Sequence, residues 1–109
     1  MGIKFTLLSG TLLALTPIAS SLAGDISGCV VFHQNNRTWP ASLHPVTLKS
    51  TSTSGQYRNY TGQDGCYYFR DIENGSFKIE TRSSIDQQSA AVVVSGPAKQ
   101  EAPLIRLRW

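Results

Sequence analysis

From Thr61 to Glu80 apolar and polar residues alternate with a period of two, and turn-forming residues interrupt the alternation twice. A period of two sends successive side chains to opposite faces of an extended chain. Tyr67 and Phe69 therefore share one buried face, and Phe77 and Ile79 share the matching face of the next strand. Gln63-Asp64-Gly65 supplies a residue tolerant of the left-handed conformation, and Asn74-Gly75 suits a tight hairpin between these two strands.

The pattern continues on both sides. Asp25–Phe32 reads as a first strand with Ile26, Val30 and Phe32 on one face. Gly28 lies between them, where a missing side chain permits close approach or a bulge. Residues 33–45, with two prolines, two asparagines and two histidines, read as a loop. Val46–Lys49 and Gln56–Thr61 are the next strands, separated by the exposed Ser/Thr/Gly turn Ser50–Gly55. Arg82–Gln88 is polar except for Ile85, and Ala90–Val94 is apolar enough to be buried on both faces at its centre. After a turn at Gly96-Pro97, Leu104–Trp109 closes the chain, with Ile105, Leu107 and Trp109 facing one way and Leu104, Arg106 and Arg108 the other. No segment beyond the N-terminal stretch has apolar residues at helical spacing. The expected fold is all-β, a seven-stranded antiparallel β-sandwich.

The N-terminus reads as a cleaved signal peptide rather than part of the fold. A short basic start (Met1–Lys4) precedes an apolar run from Phe5 to Ile18, and Ala19-Ser20-Ser21-Leu22-Ala23 offers a small-x-small cleavage site after Ala23. The run is shorter than the roughly 20 apolar residues that span a bilayer, and no later stretch qualifies. The expected organisation is a signal peptide over residues 1–23 and one domain over 24–109, exported to the periplasm, the cell surface or the medium, with no membrane span in the mature chain.

A domain of this size buries only roughly 60–65% of its unfolded-chain surface, so a covalent tie would help. In an exported protein Cys29 and Cys66 are expected to bond to each other. The loop they would close is worth about 4 kcal/mol in the chain-entropy model. A bond between molecules and a reactive thiol are the alternatives, though no Cys-x-x-Cys pair or basic neighbourhood favours redox chemistry. Both cysteines lie off the faces assigned to the core, so the bond would join two strands on the side away from it, or across an edge. Charge adds little: ten Lys and Arg stand against seven Asp and Glu, scattered singly. That is no nucleic-acid footprint.

Ile26-x-Gly28-x-Val30, Val46-x-Leu48 and, most specifically, Asp64-Gly65-x-Tyr67-x-Phe69-x-x-Ile72-x-Asn74-Gly75-x-Phe77-x-Ile79 resemble the carboxypeptidase regulatory-like domain over about Asp25 to Trp109. The resemblance implies a transthyretin-like (prealbumin-like) β-sandwich, similar to the collagen-adhesin B-type repeats and the carbohydrate-binding-like fold. It also implies an accessory role, free-standing here because the catalytic domain that accompanies the module in carboxypeptidases is missing. The chain departs from the family at His44-Pro45, where a Gly-Ala pair is usual, and at Ser83-Ser84-Ile85, where Gly-Tyr often stands. The first strand has no Lys and the last no Asn, so the isopeptide crosslink of the adhesin repeats is not expected.

Candidate chemistry is sparse. His33, His44 and the dispersed carboxylates lack metal-ligand spacing. Asp64-Gly65 lacks the ligand series of a calcium loop and reads as a capped turn. No Gly-x-Ser-x-Gly elbow is present. No catalytic residue, metal or cofactor is expected, and the chain is not expected to be an enzyme.

A binding surface is the better expectation. Trp39, within the polar run Asn35–Pro40, together with Tyr57, Tyr60 and Tyr68, would offer ring faces and polar neighbours to a glycan or a protein surface. For Trp39 itself, a lid folded back over the open end of the sandwich is the favoured reading. The alternative role is a structural or assembly component of an envelope or extracellular complex that pairs through a strand edge. Asn36-Arg37-Thr38, Asn59-Tyr60-Thr61 and Asn74-Gly75-Ser76 fit the glycosylation acceptor pattern, which matters only in a eukaryotic secretory pathway.

Overall fold

The computed structural model describes residues 23–109, so the expected signal peptide lies outside the described residues except for Ala23. All regular elements among the described residues are strands. They are β1 (Ala23–Gln34), β2 (Arg37–Pro40), β3 (Pro45–Ser50), β4 (Gln56–Tyr60), β5 (Cys66–Glu73), β6 (Gly75–Arg82), β7 (Gln87–Val94), β8 (Lys99–Glu101) and β9 (Ile105–Arg108). They form two sheets that share one core, an all-β sandwich.

The first sheet is built around β1. Along one side, β5 pairs antiparallel with its first half and β2 with its second. Along the other side, β8 and then β9 pair with it in parallel. The second sheet has the order β4-β3-β6-β7 and is antiparallel throughout. The expectation of seven strands, all antiparallel, is corrected to nine, two of them parallel to β1. A period-two pattern reports which face a residue occupies, not the direction of its neighbour.

Two further expectations change. Asn74-Gly75 does not turn a hairpin: β5 pairs only with β1, whereas β6 pairs with β3 and β7. The dipeptide carries the chain from one sheet to the other, with the Asn74 side chain accepting the Gly96 N–H at 3.1 Å. Tyr67 and Phe69 thus meet Phe77 and Ile79 across the core rather than alongside. In the second correction, β7 is an edge strand. Val92 and Val94 are buried, but Val93 is 57% exposed, so the strand covers the core with one face only.

The region read as a loop after Phe32 is a β-hairpin. Asn35 and Asn36 have φ of 51° and 67°, the conformation of a two-residue hairpin turn that follows the natural strand twist. Val30 marks where β1 changes partners: it donates to Gly65 O at 2.8 Å and accepts from the Ala41 N–H at 3.0 Å. Gly65 has φ of 83°, and a Cβ there would lie 2.6 Å from Val30 O, so both torsion and space demand glycine. Asp64 caps this turn by accepting the Cys66 N–H at 3.0 Å. Cys29 and Cys66 face each other directly in the β1–β5 register and are bonded, on the outer side of the first sheet.

Candidate functional site

The structure does not gather the expected aromatic residues into one surface. Tyr57 turns inward against the core and donates its hydroxyl to Glu73 Oε1. This bond and the negative charge of Glu73, with some burial, raise the Tyr57 pKa, and the same hydrogen bond lowers that of Glu73. Tyr60 is exposed on the second sheet, opposite Pro45. Tyr68 is exposed on the outside of the first sheet, where Ser27, the disulfide and Leu104 surround it. Only Trp39 stands among other aromatic rings.

Those rings lie where β1 ends. Phe32 is paired with Trp39 on β2 and with Leu107 on β9. One step further along the same inward face, Gln34 is paired with Arg37, and Trp109 follows Leu107 on its other side. Trp109 is held there by its N–H to His33 O at 3.0 Å and by the Gln34 Nε2–H to its carbonyl at 3.3 Å. Two rows therefore cross the sheet, Trp39–Phe32–Leu107 and Arg37–Gln34–Trp109. Ring centroids are 4.7 Å apart for Phe32 and Trp109, 6.1 Å for Phe32 and Trp39, and 6.3 Å for the edge-to-face pair Trp39 and Trp109. These separations fall within the favourable range for aromatic pairs.

The second sheet ends short of the last row. His44, just before β3, sets its ring edge-on against Phe32 at 5.0 Å, and its Nε2–H donates to Arg82 O at 2.7 Å. Buried Thr61 fixes this corner: its hydroxyl donates to Ala41 O and accepts the His44 N–H, the latter at 2.8 Å. Phe32 is thereby covered while Trp109 stays 53% exposed. Trp39 is half-buried against the core cluster. It covers Phe32, as a lid would, and also borders the open surface.

The β6–β7 turn ties the second sheet to the end of β9. Ser83 Oγ–H donates to Arg108 O at 2.7 Å, and the Arg108 N–H donates to Asp86 Oδ2 at 2.9 Å. That hydrogen bond, ahead of those from Gln88 and Gln87, keeps the Asp86 carboxyl below the usual carboxylate range. The clasp joins the two sheets directly behind Trp109.

Sequence reasoning missed Trp109, Gln34 and Arg37 as site residues. The signal was present in Asn35-Asn36: a two-residue turn there sets Arg37 against Gln34 and Trp39 against Phe32. The Ile105/Leu107/Trp109 face then brings the second tryptophan alongside. Among the described residues no group of His, Cys, Asp and Glu is placed to hold a metal ion. What the site offers is an aromatic platform with Gln34 and Arg37 in the adjoining row. Such a surface can stack on the apolar face of a ring and hydrogen-bond its edge.

No family model matches the chain, and no curated protein matches it in sequence. In fold it is similar to the crystal structure of a candidate carbohydrate-binding protein from Pseudomonas aeruginosa, with a TM-score of 0.61 and 15% identity over 80% of this chain and 90% of that one. At that identity the likeness establishes a shared fold and nothing finer.

Proposed function

We propose that the chain is an exported, non-catalytic carbohydrate-binding module of the prealbumin-like, carboxypeptidase regulatory-like type, with its binding surface at the Trp39–Trp109 end. The observation that carries this reading is the pair of tryptophans on an inward-facing sheet surface that the opposite sheet leaves uncovered. A tryptophan exposed beside a half-buried one, with Gln34 and Arg37 in the adjoining row, suits a pyranose ring better than it suits catalysis. The similar fold of a candidate carbohydrate-binding protein adds general support. The test is affinity electrophoresis of the mature protein against a polysaccharide panel. Retardation by at least one glycan is expected, with about a tenfold or greater loss of affinity in Trp39→Ala and Trp109→Ala. Full binding by both variants would move the surface elsewhere.

A second reading, an assembly component, is favoured by β7. It is the one described strand without a charged residue, and it lies at a sheet edge. Charged edge residues are a usual defence against strand addition. Co-purification with a fixed partner, abolished by Ala91→Lys, would support it; a monomer after crosslinking in the native envelope would count against it.

A further inference from the structure

Building on the carbohydrate reading, we propose that the ligand is an acidic glycan and that Arg37 is the residue selecting it, by pairing with a carboxylate or sulfate on a sugar stacked against Trp109 and Trp39. The geometry rests on the last row of the first sheet. Arg37 faces Gln34 in the β1–β2 register, and Gln34 reaches Trp109 through its amide. Arg37 and Trp39 are two residues apart on β2, so their side chains leave the same face. A ring lying on the tryptophans therefore has a guanidinium at its edge.

The charge of Arg37 favours an anion there. Arg37 takes part in none of the ion pairs that the structure forms among the described residues, which are Lys49–Glu80, Lys78–Glu80 and Arg108–Asp86. Guanidinium presents a planar fork that matches carboxylate or sulfate with two parallel hydrogen bonds, whereas an ammonium offers a point charge. An uncharged sugar would leave that fork facing only water.

The experiment uses the two tryptophans as reporters. The chain has two in all, and both are in the site, so intrinsic fluorescence reads binding directly. The mature protein is titrated with oligo-uronates and sulfated oligosaccharides, each paired with its neutral counterpart, the methyl ester or the desulfated form. At least tenfold tighter binding of one anionic member over its neutral counterpart is expected, weakening with added salt. Arg37→Gln is expected to abolish that preference while leaving thermal stability unchanged, and Arg37→Lys to restore only part of it. Equal affinity for both members, or a preference that survives in Arg37→Gln, overturns the acidic selection and leaves the carbohydrate reading standing. Absence of binding to every member, with the wild-type protein also unretarded by every polysaccharide of the panel, overturns both.

Discussion

The ring of Tyr67 occupies the space that a side chain on Gly28 would fill. The two residues face each other across the β1–β5 ladder, and a Cβ at position 28 would lie 2.6 Å from Tyr67 Cζ. Tyr67 is completely buried, stacks edge-to-face with Phe69 at 5.8 Å, and leaves its hydroxyl without a hydrogen-bond partner. The glycine is therefore a packing partner of the tyrosine. Gly28→Ala is expected to force the ring out of place and to destabilise by about 1–3 kcal/mol, as overpacking does. For a domain of this size that lowers Tm by several degrees, and a Tm at the wild-type value would show that the ring is free to shift.

The same tyrosine has an alkaline signature. Burial pushes its pKa up to about 12 from the ordinary value of 10.0. The folded state keeps the proton where the unfolded chain has lost it. This contribution to stability is complete below about pH 10 and disappears as pH rises through about 12. Tyr67→Phe removes both the titrating group and an unpaired buried hydroxyl. It is expected to be neutral or stabilising at pH 7 and to flatten the alkaline limb of the Tm–pH curve. The residual slope should belong to Tyr57, whose pKa is also raised, first by its bond to Glu73. A steepened limb in Tyr67→Phe would contradict this account.

The disulfide joins residues separated by 37 positions in the chain and closes the β1–β5 ladder on its outer side. Restricting the unfolded chain over that distance is worth about 4 kcal/mol. Cys29→Ser with Cys66→Ser is expected to lose most of that in denaturant melts, and a reducing agent to reproduce the loss in the wild type. A loss below about 1 kcal/mol would mean that the unfolded chain already holds these strands together.

These residues also show how far the sequence could be read. Tyr67, Phe69, Phe77 and Ile79 are buried on the faces that their alternation predicts, because burial is a property of one strand and its period. Their partners were not legible. Asn74-Gly75 has hairpin composition, yet it crosses between sheets, since a turn dipeptide fixes local torsions and not which strand lies alongside. Val93 belongs to an apolar run but stands at an edge, and strand order is set by the whole topology. The site was half legible for a similar reason. Trp39 and Trp109 are 70 positions apart in the chain, and only the register of β2 and β9 on β1 brings their rings within 6.3 Å.

Acid should act on the clasp behind Trp109. Asp86, Glu73 and Glu80 all have lowered pKa values, from the Arg108 N–H, the Tyr57 hydroxyl and the Lys49 ammonium in turn. A carboxyl with a depressed folded pKa contributes stability above its unfolded value and loses that contribution as pH falls through the folded one. Unfolding below about pH 4 should therefore be accompanied by proton uptake. Asp86→Ala is expected to reduce that uptake by up to about one proton and to make the acid limb of the Tm–pH curve shallower. An unchanged acid limb would show that the hydrogen bonds to this carboxylate contribute nothing to stability.

Trp39 and Trp109 should separate when stability and binding are measured on the same variants. Trp39 packs against the core and covers Phe32, so Trp39→Ala is expected to cost about 1–2 kcal/mol, roughly half the loss for a fully buried tryptophan. Trp109 is held mainly through its main chain, by His33 O and the Gln34 amide, and those bonds survive Trp109→Ala. Its stability cost should stay below about 1 kcal/mol. If the end of the sandwich is a binding platform, both variants lose glycan affinity while only Trp39→Ala loses Tm appreciably. If Trp39 is a lid alone, its variant loses stability, and affinity, where any is found, stays with Trp109. The crossed measurement of Tm and affinity on two single variants thus distinguishes a core cover from a recognition surface, because burial and exposure are divided unequally between two rings of the same kind.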